Sequence, residues 1–175
     1  VQNVLSKIDP NKDADGLHPF NLGNLVLSKN SIIPCTPKAI WALLSEYKVN
    51  LSGAKVLIIG RGSTVGRPLS ILLSQKNIDA TVTLAHSATR NLTDLINDAD
   101  VVVAAIGKPH FIKPEMIKSG AVVIDVGITR TQTGLVGDVD PGVINIASLF
   151  APMPGGVGPM TRAMLLTNLV EWANR

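Results

Sequence analysis

The chain has 175 residues, of which 46% are hydrophobic and 17% charged, and its formal net charge is +3. This composition is typical of a single globular domain. The basic balance raises the question of nucleic-acid binding, yet none of the 16 Lys and Arg residues is adjacent to another and aromatic residues are only 3%. A phosphate-backbone footprint needs clustered cations and base stacking needs rings, so we expect no nucleic-acid partner.

Membrane insertion and secretion are not indicated either. The longest apolar runs, Val101–Ile106 among them, are far shorter than the roughly 18 residues of a membrane span, and no signal-peptide pattern is present. The single cysteine, Cys35, cannot form an internal disulfide, which suits a reducing compartment. We therefore expect a cytoplasmic protein. Because the sequence starts at Val1 and not at Met, we also expect it to be a piece of a larger one.

The first predicted helix follows a polar stretch. Residues 1–31 are punctuated by proline and glycine, which predicts mostly loop. Thr36 followed by Pro37 has the pattern of an N-cap and a first helical position. Apolar residues then recur at helical spacing, which predicts a helix whose core-facing side includes Ile40, Trp41, Leu43, Leu44 and Tyr47.

Strands and helices alternate along the rest of the chain. The predicted strands are uninterrupted apolar runs, as in parallel strands that are covered on both faces. The sequence predicts strands at Val56–Ile59, Thr81–Ala85, Val101–Ile106 and Ala121–Val126, helices at Val65–Gln75, Leu92–Asn97 and Thr161–Asn174, and a helical turn at Pro114–Ile117. The expected fold class is α/β, a doubly wound, mostly parallel sheet of the Rossmann type.

A glycine-rich loop directly follows the first predicted strand. Gly60, Gly62 and Gly66 are spaced G-x-G-x-x-x-G, one residue longer than the common fingerprint. Glycines allow backbone N–H groups to approach a pyrophosphate, and the following helix presents its positive end. Glycines also occur in ordinary turns, but the strand before and the helix after provide the context that a dinucleotide site requires. The loop therefore predicts dinucleotide binding.

The second predicted strand indicates which dinucleotide is bound. The residues at and after its end, Leu84 to Arg90, include no acidic residue, whereas NAD enzymes usually place Asp or Glu there for the ribose hydroxyls. Arg61 and Ser87, with Arg67 or Arg90 as further candidates, could hold a 2′-phosphate instead. We expect NADP. The alternative is that Arg61 is only a solvated loop cation.

Other polar residues offer weaker candidates. Asp13 and Asp15 could form an acid–base pair or merely belong to a solvated turn. Cys35 lies near a helix N-terminus, which could lower its pKa, but no histidine is close in sequence, and a structural thiol is the favoured interpretation. The three histidines lack metal-ligand spacing, so we expect no metal. The glycine-rich residues 154–159 predict a second backbone-lined edge near the nicotinamide end.

Four motifs together resemble one known family. They are Lys12-Asp13-Ala14-Asp15-Gly16-Leu17, Pro34-Cys35-Thr36-Pro37, the Gly60–Pro68 loop and the segment from Pro154 to Thr161. In this order they resemble the bifunctional methylenetetrahydrofolate dehydrogenase/methenyltetrahydrofolate cyclohydrolase (FolD) family, over essentially the whole chain. The family motif usually continues x-Gly after PCTP, whereas this chain has Lys38-Ala39.

The resemblance implies a cytoplasmic, homodimeric enzyme of one-carbon metabolism that serves purine, methionine and histidine biosynthesis. Such an enzyme oxidises 5,10-methylenetetrahydrofolate with NADP and hydrolyses the methenyl product to 10-formyltetrahydrofolate. It also implies roles for individual residues. These are Gly60, Arg61 and Gly62 at the cofactor phosphates, Ser87 near the 2′-phosphate, Ile128 near the nicotinamide, Thr36 and Thr161 approaching the cofactor, and Asp15 at the folate pterin ring.

The catalytic residues of the family have no match in this chain. They lie as Y-x-x-x-K in an N-terminal domain, whereas Tyr47, the sole tyrosine, is followed four positions later by Leu51. We expect residues 1–33 to continue from that absent domain and residues 34–175 to form the NADP-binding domain with a C-terminal helix. The chain alone should then bind NADP without turnover. A different NADP oxidoreductase, such as a shikimate-dehydrogenase-like enzyme, and a non-catalytic NADP sensor are the alternatives.

Overall fold

The computed structural model describes residues 2–132 and 134–174. Its helices are α1 (Gln2–Leu5), α2 (Pro19–Val26), α3 (Cys35–Glu46), α4 (Gly66–Leu73), α5 (Leu92–Asp98) and α6 (Val157–Ala173), with 3₁₀ turns at Pro10–Lys12, Pro114–Met116 and Pro141–Asn145. Its strands are β1 (Lys55–Ile59), β2 (Thr81–Ala85), β3 (Val101–Ala104), β4 (Val122–Asp125), β5 (Thr129–Thr131), β6 (Gly134–Val136) and β7 (Leu149–Ala151). Val1, Thr133 and Arg175, which fall within ranges predicted above, lie outside the described residues.

Five of the strands form one parallel sheet in the order β2-β1-β3-β4-β7. Alternate residues of each strand face opposite layers. Val56 and Ile58 pack with residues of α3, α4 and α6, while Leu57 and Ile59 pack with residues of α5 and the 3₁₀ turn Pro141–Asn145. Both faces are covered, as uninterrupted apolar strands require. The predicted α/β, mostly parallel, doubly wound fold class is confirmed.

Several predicted elements differ from those observed. Residues 2–31 contain two short helices, α1 and α2, that were not predicted. Helix α2 is stabilised locally, since Pro19 occupies its first turn and the His18 imidazole accepts a hydrogen bond from the Phe20 N–H at 3.0 Å. The hairpin of β5 and β6, and the edge strand β7, were also not predicted.

The ends of two helices also differ from the prediction. Thr36 is not an N-cap, because α3 begins at Cys35 and Pro34 precedes it without a side-chain cap bond. The prediction that Tyr47 packs in the core is wrong. Helix α3 ends at Glu46, Lys48 adopts a left-handed conformation, and the Tyr47 side chain is 63% exposed.

Candidate functional site

The glycine loop after β1 is shaped by close backbone packing. Gly60 has a φ of +120°, and a Cβ there would collide with the Ala105 carbonyl. A Cβ at Gly66, where α4 begins, would collide with the Gly60 carbonyl. Gly62 is different, because its nearest neighbour would be the Thr64 Oγ1 at 3.9 Å. Gly60 and Gly66 therefore bring strand and helix together, and Gly62 leaves open space over the loop.

A pocket of about 300 Å³ lies where β1, β2 and β3 end. Its lining brings together three residues that the sequence predicted for the cofactor: Gly60, Arg61 and Ser87. Gly62 adjoins the lining without belonging to it, and Arg67 and Arg90 do not contribute. No carboxylate occurs among the described residues that line the pocket. Its fixed charges are thus positive, which suits an anionic ligand.

Lys108 also lines this pocket, although it was not predicted from the sequence as a cofactor residue. It lies in the turn after β3, and its Nζ is 5.6 Å from the centroid of the Phe111 ring. A signal was present, because the carboxyl ends of neighbouring parallel strands meet at one edge of the sheet. Because Arg61 and Ser87 also follow the ends of such strands, this rule could have grouped Lys108 with them.

The other predicted cofactor residues lie on different elements. Thr36, in the first turn of α3, and Thr161, in α6, have their Oγ1 atoms 3.4 Å apart. The Thr161 hydroxyl also donates a hydrogen bond to the Val157 carbonyl at 3.0 Å. Ile128 follows β4, and its side chain is 60% exposed. The structure therefore joins Thr36 to Thr161 across 125 residues of sequence, and Ile128 remains accessible beyond the end of β4.

The two aspartates of the Asp13–Asp15 segment have different environments. Asp13 is buried, and its carboxylate accepts hydrogen bonds from the Gly16 N–H at 3.1 Å, the His18 N–H at 2.8 Å and the Asn21 amide at 2.8 Å. Asp15 is exposed. Asp13 thus stabilises the turn, and Asp15 is the carboxylate that remains accessible to a ligand.

Cys35 is a buried thiol beside this turn. Its pKa is raised to about 12, chiefly by burial and in addition by the adjacent Asp15 carboxylate, against smaller opposing effects of Asn168 and Lys38. The proposed lowering of its pKa by the helix N-terminus is therefore wrong, and the structural role is favoured.

Asn168 connects these segments and was not singled out from the sequence. It is fully buried on α6, and its amide donates hydrogen bonds to the carbonyls of Ala14 at 2.9 Å and Ile33 at 3.0 Å. Its Oδ1 accepts one from the Lys38 ammonium at 2.8 Å, which also pairs with Glu171. One side chain thereby fixes the Asp15 turn and the start of α3.

Other ligand classes receive no support from the described residues. Within residues 2–132 and 134–174, no group of three or more His, Cys, Asp or Glu residues could hold a metal ion. The same residues include no helix of the length and apolarity needed to cross a bilayer.

The fold and the pocket define a dinucleotide-binding α/β domain of the Rossmann class. Glycines 60 and 66 form a cradle without room for a Cβ, and the positive pocket lies beside it, so the residues present fit a dinucleotide with phosphate groups. Residues 34–175 match the family described as the tetrahydrofolate dehydrogenase/cyclohydrolase, NAD(P)-binding domain. The chain belongs to this family, and the resemblance found in its motifs is confirmed.

Solved structures of similar proteins agree with this assignment. The bifunctional FolD methylenetetrahydrofolate dehydrogenase/cyclohydrolase of Campylobacter jejuni is 41% identical, with a TM-score of 0.94. The Trypanosoma brucei enzyme, solved with NADP and an inhibitor, is 44% identical, with a TM-score of 0.91. Each match covers 99% of this chain and 62% of the other. The NAD-dependent dehydrogenase of Saccharomyces cerevisiae is 27% identical, with a TM-score of 0.83, over 98% of this chain and 64% of the other.

Proposed function

We propose that this chain is the NADP-binding part of an enzyme that oxidises 5,10-methylenetetrahydrofolate to 5,10-methenyltetrahydrofolate and hydrolyses that product to 10-formyltetrahydrofolate. The observation that carries the cofactor choice is the pocket lined by Arg61, Ser87 and Lys108, whose described lining residues include no carboxylate. A 2′-phosphate would be attracted there, whereas the acidic residue typical of NAD sites is absent. Since one relative is named as NAD-dependent, this choice needs a direct test.

The chain's own residues would bind and orient the cofactor. The backbone N–H groups of Arg61 and Gly62 and the N-terminal end of α4 would face the pyrophosphate, and Gly60 would allow the close approach of the chain. Arg61 and Ser87 would hold the 2′-phosphate, the guanidinium through paired hydrogen bonds. Ile128, with Thr36 and Thr161, would flank the nicotinamide end. When bound, NADP supplies the hydride acceptor of the reaction.

Asp15 is proposed as the folate contact. A carboxylate is suited to accept hydrogen bonds from the amino and ring N–H groups of a pterin. It is exposed, and the segment that carries it is held by three hydrogen bonds to Asp13 and by the Asn168 amide. This arrangement supports a fixed but accessible carboxylate.

Replacement of Arg61 by Ala tests the cofactor choice. Hydrogen bonds to a charged group contribute about 1.5–3 kcal/mol, so the affinity for NADP should fall about 10- to 150-fold. The affinity for NAD should change by less than about threefold, because NAD carries no 2′-phosphate. Isothermal titration calorimetry with both cofactors measures this difference.

Arg67→Ala is the matched control, since Arg67 is an exposed arginine on α4 that does not line the pocket. It should leave both affinities unchanged. Equal loss of NADP affinity in the two variants, or tighter binding of NAD than of NADP by the unchanged chain, would contradict the proposal.

The catalytic step is proposed to need residues beyond this sequence. The chain spans 62% of the length of the two FolD enzymes compared, and the expected Y-x-x-x-K pair has no match in it. Residues 1–33 would then be an interdomain segment and residues 34–175 the cofactor domain. The chain should bind NADP but form no methenyltetrahydrofolate from methylenetetrahydrofolate, which the absorbance of NADPH would detect.

We further propose that the enzyme is a homodimer, that it is located in the cytoplasm, and that it serves purine, methionine and histidine biosynthesis. Two features of the described residues support self-association. Strand β7 lies at the sheet edge and pairs there with β4 alone, and an apolar groove of about 550 Å³ beside it is lined by Tyr47, Ile144 and Phe150. Light scattering coupled to size-exclusion chromatography should give twice the mass of the 18.5 kDa chain.

A further inference from the structure

Two buried carboxylates lie behind the cofactor pocket. Asp138 is completely buried and Asp125 is 2% exposed. Within the described part of the chain, neither forms a salt bridge. Their described hydrogen bonds come from backbone N–H groups. A buried charge is costly unless it is compensated, so this arrangement requires a structural or functional reason.

The Asp138 carboxylate is bound by three consecutive backbone N–H groups. Its Oδ2 accepts from Ile106 at 2.6 Å and from Gly107 at 3.0 Å, and its Oδ1 accepts from Lys108 at 2.7 Å. These residues form the turn that follows β3. Hydrogen bonds to an ionised acceptor are shorter and about twice as strong as neutral ones. The turn therefore has a fixed conformation without any ligand.

Asp125 in turn holds the backbone of Asp138 in place. It is the last residue of β4, and its carboxylate accepts hydrogen bonds from the N–H groups of Asp138 at 2.9 Å and Val139 at 3.1 Å. Two glycines make room for the pair. A Cβ at Gly137 would collide with the Asp125 carboxylate, and one at Gly127 would collide with that of Asp138. Neither carboxylate can be enlarged or moved without displacing backbone.

The fixed turn contributes directly to the pocket. Ile106 and Lys108 are part of the lining, together with Arg61 and Ser87. We propose that Asp138 is a positioning residue for cofactor binding, which holds the 106–108 turn so that the Lys108 ammonium contributes to binding the phosphorylated adenosine end of the dinucleotide. The inference rests on the proposed function and adds Lys108 and Asp138 to its residues.

Asp138→Asn is the primary variant. The amide keeps the size of the side chain but has one acceptor oxygen in place of two, so at least one of the three N–H groups loses its partner. Adenosine 2′,5′-bisphosphate is the probe, because it carries the 2′-phosphate without the nicotinamide. We expect its affinity to fall about tenfold in Asp138→Asn, as for one lost charge-assisted interaction.

Val143→Ala is the matched control for a loss of stability alone. Val143 is fully buried in the same hydrophobic cluster as Ile112 and Val139, but it does not line the pocket. It should lower the melting temperature and leave the affinity for the probe unchanged. Lys108→Met should weaken binding by itself, and the double variant Asp138→Asn/Lys108→Met should lose less than the product of the two single effects, because both act through one side chain.

The outcomes separate this inference from the proposed function. If the unchanged chain does not bind the probe, the proposed NADP site is wrong. If it binds, and folded Asp138→Asn binds with the same affinity, or the two substitutions act independently, the positioning role is overturned. If Asp138→Asn does not fold, amide hydrogen exchange of the unchanged chain tests the positioning role instead. Slow exchange of the 106–108 amides without ligand supports the role, and rapid exchange overturns it.

Discussion

Replacing Asn168 by alanine should destabilise the fold more than any exposed substitution on α6. The side chain is fully buried, and its amide donates to the carbonyls of Ala14 and Ile33 while its oxygen accepts from the Lys38 ammonium. Alanine removes these three bonds at once, together with the longer contact of the amide with the Cys35 Sγ at 3.4 Å. The ammonium keeps its pairing with Glu171, so the principal loss is at the two carbonyls.

The magnitude follows from those two acceptors. A buried polar group left without its partner costs about 1–3 kcal/mol, and the cavity adds to this, so we expect a loss of about 3–5 kcal/mol in the free energy of unfolding. For a chain of this length, that corresponds to a decrease in Tm of about 10–15 °C. Equilibrium unfolding in urea, followed by circular dichroism, measures the free energy directly.

Thr167→Ala is the matched control for this measurement. Thr167 is the neighbouring residue on α6, and its hydroxyl donates to the Ala163 carbonyl one turn earlier. Its loss should cost no more than about 0.5 kcal/mol. An unfolding free energy of Asn168→Ala within about 1 kcal/mol of the unchanged chain would refute the assignment of Asn168 as the residue that holds these segments together.

Three further predictions concern other parts of the chain. Burial raises the Asp125 pKa to about 6, so the folded state binds the proton of this carboxyl group more tightly than the unfolded state does. The stability that this contributes is full below about pH 4 and is lost as the pH rises through 6. In urea unfolding, the stability advantage over Asp125→Asn should therefore shrink by up to about 3 kcal/mol from pH 4 to 7, and a constant difference would contradict this. Burial raises the Cys35 pKa to about 12, so a disulfide reagent at pH 8 should modify it only after unfolding, and rapid labelling of the native chain would show the burial to be wrong. Gly66→Ala should lower the melting temperature strongly because its Cβ would collide with the Gly60 carbonyl. Gly62→Ala has open space, so it should keep the fold but weaken NADP binding. Equal melting temperatures for these two variants would disprove the packing argument.

The fold could be predicted wherever the sequence carries a strong local signal. Strands β1 to β4 are continuous apolar runs, and their positions were predicted to within a few residues because no exposed face interrupts them. Strand β7 has only three residues between a serine and a proline, too few for a periodic pattern to show. Helix α2 was missed because Pro19 and Gly23 within it are residues typical of loops, although His18 and Pro19 carried the capping signal.

The residues of the candidate site can likewise be divided into those that the sequence could predict and those that it could not. The positions of Arg61 and Ser87 at one pocket were predictable, because each follows the end of one of two neighbouring strands. Asp138 and Asn168 were not predictable, because an isolated polar residue in a sequence gives no sign of burial. Their partners are backbone groups about 30 residues away for Asp138, and 135 and 154 residues away for Asn168.

The buried carboxylates also restrict where a phosphate group can bind. The three N–H groups of the 106–108 turn are directed at Asp138, so they cannot donate to an anionic ligand, and the negative charge behind them disfavours one. The Gly60 N–H donates to the Ala85 carbonyl at 2.9 Å, but the N–H groups of Arg61 and Gly62 and the Arg61 guanidinium have no such competing acceptor among the described residues. An anion is therefore best accommodated on the Arg61 side of the pocket. The Lys108 ammonium then has a second effect, because it offsets the field of the two carboxylates at the opposite wall.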